Sequence, residues 1–106
     1  MSEDNEIYDC IGNVWLWNSE KGSWHFFTIT EKIANEIYFA TSLKTLGLKR
    51  GFGAVKVRAI VGETIFTTSI FPNSKDKTYI LPIKASVRKA ENIKAGDEIK
   101  VQIELI

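Results

Sequence analysis

The side chains of this chain with reactive chemistry in reach are a single histidine, His25, a single cysteine, Cys10, and a scatter of cations. With one imidazole and one thiol, a transition-metal site would rest on carboxylates, so no metal and no cofactor is expected. Cys10 and His25 fall on segments that read as neighbouring strands, the placement a thiolate and its base would need. No group near them in sequence supplies an oxyanion hole, and no catalytic residue is assigned. Glu63, Asp97 and His25 could act as acid or base, but nothing in the sequence places any two together.

Three further patterns each carry two readings. Arg50-Gly51-Phe52-Gly53 has spaced glycines but precedes a strand, not a helix, so it lacks the context of a dinucleotide loop. Its glycines permit positive φ, and its functional reading is an anion contact by Arg50 and backbone amides. Thr67-Thr68-Ser69 suits a strand by propensity alone; at a polar barrel mouth, Thr68 or Ser69 would supply hydrogen bonds. Lys84, Arg88 and Lys89 form a basic helical turn with Lys84 and Arg88 at i, i+4, either a solvated face or an anion contact.

Trp15, Trp17 and Trp24 crowd into one hairpin. Cross-strand aromatic packing accounts for them structurally; exposed, they would wall a groove or anchor a partner. Trp15 and Trp17 share a strand face with Ile11 and Asn13, and that mixed face could line a groove.

The elements that must position these residues follow from periodicity. Residues 1–6 read as a frayed acidic tail and 7–106 as one domain. Ile7–Trp17 alternates, with Tyr8, Cys10, Val14 and Leu16 on one face; Gly12 marks a bulge or a close backbone approach. Asn18–Gly22 is turn chemistry, and Ser23–Ile29 returns as a second strand. A helix starts after Thr30, runs over Glu31–Leu46, and presents Ile33, Ile37, Ala40 and Thr41 on one face. Leu48–Gly53 is a basic loop. Ala54–Val61 and Thr64–Phe71 form a hairpin around Gly62-Glu63, and Tyr79–Ile83 is short because Pro82 requires a strand end or edge. Lys84–Ile93 fits a short helix, and the last strand turns Ile99, Val101, Ile103 and Leu105 inward. The fold class is mainly β: a six-stranded antiparallel barrel, closed or split, with the long helix capping one end.

Charge is near balance at +1 over 106 residues, so no bulk attraction to a polyanion exists. Between Lys44 and Lys89, however, ten cations face only Glu63 and Asp76, an asymmetry that either marks a partner surface or spreads over solvated faces. The unpaired cysteine favours a reducing compartment, the start lacks signal-peptide features, and no apolar run approaches membrane-helix length. A cytoplasmic protein without membrane contact is expected.

Several pieces in order resemble one family: Val14-Trp15-Leu16-Trp17, Trp24-His25-Phe26-Phe27, Arg50-Gly51-Phe52-Gly53-Ala54-Val55, Thr68-Ser69-Ile70-Phe71-Pro72, Tyr79-Ile80-Leu81-Pro82, and Val87-Arg88-Lys89-Ala90 followed by Gly96-Asp97. Together they are similar to the small bacterial barrel of domain-of-unknown-function family nineteen-oh-five, from about Tyr8 to Leu105. Thr30 stands where that family usually has proline, and Phe52 and Phe66 where tryptophan is common. The resemblance implies a split β-barrel, in some members fused to a YdeI/OmpD-associated domain linked by name to bacteriocin protection; no such domain is expected within these residues. It brings no reaction, cofactor or catalytic residue.

Three function classes follow. The first is a non-enzymatic binding or accessory module, taking a small anion or a protein partner at a basic barrel mouth through Trp24, Arg50, Arg58, Thr68, Phe71, Lys84 and Arg88. The second is nucleic-acid binding, because Leu81–Arg88 with Ile93–Asp97 is similar to the core of swapped-hairpin AbrB-type regulators, which dimerise. The third is an enzyme using a barrel cavity. Exposed strand edges in a split barrel would also permit a homodimer.

Overall fold

The computed structural model describes residues 7–44, 53–73 and 76–106. The expected tail at 1–6, the loop holding Arg50, and the last residues of the long helix's predicted span lie outside the described residues.

Six antiparallel strands form the barrel: β1 (Ile7–Ser19), β2 (Gly22–Ile29), β3 (Val55–Val61), β4 (Thr64–Asn73), β5 (Thr78–Pro82) and β6 (Glu98–Leu105). Helix α1 (Glu31–Lys44) follows β2, and α2 (Ala85–Glu91) follows β5. The ring runs β1-β2-β5-β4-β3-β6 and closes through β1 and β6, so the barrel is closed and not split. Three antiparallel pairs, β1–β2, β3–β4 and β4–β5, are local in sequence. Closure instead requires β1 to meet β6 (Cys10 opposite Val101) and β2 to meet β5 (Phe27 opposite Leu81).

Alternation decides what lies inside. Tyr8, Cys10 and Val14 of β1 meet Phe27 and Ile29 of β2, Val55, Val57 and Ala59 of β3, and Leu81 of β5 in one apolar core. Val101 and Ile103 are fully buried, as the final strand's pattern predicts. Leu16 departs from expectation: it shares the inward phase of β1 but is 42% exposed. Pairing of β1 with β6 stops at Asn13, and beyond it β1 continues paired with β2. The ribbon overshoots the barrel, and the inward face at Leu16 has no core above it.

The two helices stopper opposite ends. Ile29 pairs with Tyr79 at the start of β5, and α1 leaves from there; Phe26 pairs with Pro82 at its end, where the chain enters α2. Ala34, Ile37 and Ala40 of α1 are buried in the core, while Thr41 is half-buried and Tyr38 largely exposed. Val87 of α2 is buried with Ile83 and Ile93 on either side of the helix. Helix α2 is shorter than the predicted Lys84–Ile93 because Asn92 adopts φ 56°, ψ 50° and ends it in the left-handed conformation. The loop after it is sewn to β1: Val14 donates to Asp97 O at 2.9 Å and Gly96 donates to Val14 O at 2.7 Å.

Candidate functional site

The odd residues of β1 and the even residues of β2 point away from the core, and cross-strand register places Trp17 opposite Trp24 and Trp15 opposite Phe26. Phe26 in turn lies opposite Pro82 of β5, and Ile80 opposite Phe71 of β4. The result is a continuous aromatic and aliphatic face on the outside of the barrel, spanning four strands. The Trp24 and Phe26 rings lie nearly parallel, 8° apart with centroids at 6.3 Å, and Trp15 tilts against Phe26 at 5.2 Å. Trp15 is pinned by its indole N–H, which donates to Thr28 Oγ1 at 2.8 Å. Trp24 and Trp17 are held less tightly, with 54% and 47% of their surface open to solvent.

Three depressions mark this face. One of about 250 Å³ is walled by Trp15, Trp17, Phe26 and Ile80. A second, about 310 Å³, is walled by Trp17, Trp24, Phe26, Phe71, Ile80 and Pro82. The third, about 240 Å³, lies where β2 and β5 run into α2, and Trp24, His25, Pro82, Lys84 and Arg88 contribute to its wall. The second shares residues with each of the others, so the three form one run, apolar at the Trp15 end and cationic at the Arg88 end.

The cationic end is built by a local device. Past Pro82 the β2–β5 ladder gains one more bond, Ile83 N–H to His25 O at 2.9 Å, which aligns His25 with the entry of α2. Arg88, one turn into that helix, reaches back and donates its Nε–H to Ile83 O at 3.1 Å. That bond fixes the plane of the guanidinium at the pocket, and no carboxylate pairs with it among the described residues. His25 Nδ1 is shut from solvent without a hydrogen-bond partner. Burial, and secondarily the Arg88 charge, hold the His25 pKa below its ordinary value, which favours the neutral ring. The ammonium of Lys84 lies 6.0 Å from the Phe66 ring centroid, a cation–π contact at the same end of the barrel. Among the described residues, no acidic one lines this pocket.

The residues expected at the site divide. Trp24, Phe71, Lys84 and Arg88 come together along this run. Arg58 does not join them. It sits on β3 opposite Glu104 of β6, on the other side of the ring, and its Nη1 donates to Glu104 Oε1 at 2.7 Å. Thr68, opposite the buried Val57, is on the inward side of β4 and lines none of the three depressions. Arg50 lies outside the described residues. Phe26, Ile80, Pro82 and His25 were missing from the expected set. Strand alternation already puts Phe26 and Ile80 on outward faces, but only the non-local β2–β5 pairing makes them neighbours.

Among the described residues, no group of three or more His, Cys, Asp or Glu side chains is placed to hold a metal ion, and no helix is long and apolar enough to cross a membrane. No curated protein matches the sequence. A family model, Domain of unknown function (DUF1905), matches residues 12–103, which takes in all six strands in whole or part, both helices and every residue of the aromatic run. The chain therefore belongs to the DUF1905 family.

Proposed function

We propose that this domain is a non-enzymatic binding module, whose outer aromatic face and adjoining cationic pocket hold a ligand that is apolar for most of its length and anionic at one end. The observation that carries this reading is the sharing of Trp24 and Pro82 by the apolar depression and the Arg88 pocket. Aromatic walls offer area at low entropic cost, and a guanidinium already oriented by Ile83 O would donate its remaining N–H groups to a carboxylate or phosphate. The expected bacterial cytoplasmic setting belongs to this proposal; the single buried Cys10 supports its reducing compartment only.

An NMR titration with benzoate, phenyl phosphate and inorganic phosphate tests it. Phenyl phosphate and benzoate should shift the Trp24 indole and the Arg88 side chain together, and inorganic phosphate should shift Arg88 alone. No shift at either residue, or shifts confined to the Arg58–Glu104 side, would sink the reading.

Nucleic-acid binding is the second reading, favoured by the parallel Trp24 and Phe26 rings beside two cations, since bases stack on such platforms. Titration with oligothymidylate at rising salt tests it; binding that falls steeply with salt supports it.

A further inference from the structure

We infer that the occupant of the aromatic face is an extended segment of a protein partner, with apolar side chains over Trp17 and Phe26 and a carboxylate against Arg88. This rests on the binding reading above and adds the class of ligand. Three observations carry it.

The first is one-sidedness. Trp17, Trp24 and Phe71 keep 47%, 54% and 43% of their surface open, whereas small-molecule sites enclose most of their ligand. A shallow face rich in Trp and Phe with an Arg at its edge has the composition of a protein interface. The second is order. The depressions run from Trp15 through Trp24 to Arg88, two apolar stations followed by a cationic one, which an extended peptide occupies by placing successive side chains along one line. The third is complementarity. Lys84 and Arg88 contribute to the last station and, among the described residues, no acid does, so an Asp, a Glu or a C-terminal carboxylate fits there and a basic segment is repelled. The ring is closed, though it leaves the edge of β1 beyond Asn13 open, where pairing with β6 ends. The three stations lie on the outward faces of the strands, so recognition rests chiefly on side chains.

Selection from a displayed library of random short peptides tests the inference, followed by titration of the enriched peptides, synthesised, against tryptophan fluorescence. The expected sequences carry two apolar or aromatic residues followed by Asp, Glu or a free C-terminus. Trp24→Ala and Arg88→Gln should each weaken such a peptide by roughly tenfold or more, the size of an interface hot spot. Lys84→Gln, which leaves the Arg88–Ile83 bond intact, should weaken it less. Reselection against Arg88→Glu should exchange the acidic residue for Lys or Arg and keep the apolar pair.

Circular dichroism confirms that each variant is folded. No recurrent sequence, or peptides that bind Trp24→Ala undiminished, overturns the inference; if benzoate still shifts Trp24 and Arg88, the binding reading survives alone. Displacement of the peptide by oligothymidylate at lower concentration also overturns it. So does a dimer in sedimentation that Trp24→Ala dissolves, because the occupant is then a second copy.

Discussion

The Glu91 carboxylate at the end of α2 accepts the Thr64 hydroxyl at 2.6 Å and the Glu63 backbone N–H at 3.2 Å. One acidic side chain thereby ties the helix that carries Arg88 to the tip of the β3–β4 hairpin. Gly62 makes room for it: its φ is +59°, and a Cβ there would collide with the Glu91 carboxylate. Gly62→Ala should therefore cost about 1–3 kcal/mol in urea unfolding, part from the left-handed backbone and part from displacing Glu91. In a Glu91→Ala background the same substitution should cost less, by the share that was steric. Equal costs in both backgrounds would show that only the backbone conformation matters.

Gly12 faces the core from β1, and a Cβ built on it would lie 3.3 Å from Cε2 of Phe27. Phe27 is fully buried and has little room to retreat. This settles the two readings of Gly12 in favour of close approach. Gly12→Ala is expected to destabilise by roughly 1–2 kcal/mol despite alanine's better strand propensity. Gly12→Val should cost more. Pairing Gly12→Ala with Phe27→Leu should return part of the loss if the ring is the obstacle, and none if it is not.

Alternation made the strands legible because each carries one apolar face: Val55-Lys56-Val57-Arg58-Ala59 and Ile99–Leu105 could hardly fold otherwise. Positions where a strand outruns its sheet were not legible. Leu16 has the right phase, and its exposure depends on where β6 stops at Glu98, opposite Asn13. The site was half legible for a related reason. Trp24 and Arg88 could be singled out by type, but charge counting grouped Arg58 with Arg88 along the chain. Ring order puts them on different sides, and Glu104, a neighbour of Arg58 only through the β3–β6 pairing, takes up the Arg58 charge.

Burial, with smaller contributions from Asp9 and Glu36, pushes the Cys10 thiol from 9.0 up to about 11. Two consequences follow. At pH 8 the thiolate fraction in the native chain is about a hundredfold below that of the unfolded chain, so iodoacetamide should label Cys10 slowly until denaturant is added. The second is a linkage effect. Above pH 9 the unfolded chain releases this proton while the folded chain retains it, so stability falls as pH rises from 9 to 11, by an order of 2–3 kcal/mol at the upper limit. Cys10→Ala should remove that part of the alkaline slope. An unchanged slope would mean that the loss comes from Tyr79, whose hydroxyl burial holds near 12.

His25 works in the opposite direction. Its folded pKa lies below the ordinary 6.5, so on acidification the unfolded chain takes up the proton first. The contribution to stability is intact above about pH 6.5 and is lost as pH falls from there through the lower folded value. His25→Gln should flatten the slope of stability against pH in that window and leave the slope at neutral pH unchanged. The cause can be divided as well. Burial is the larger contribution and the Arg88 charge the smaller, so in Arg88→Gln the histidine, followed by NMR, should recover less than half of its displacement. Full recovery would make the guanidinium the dominant influence.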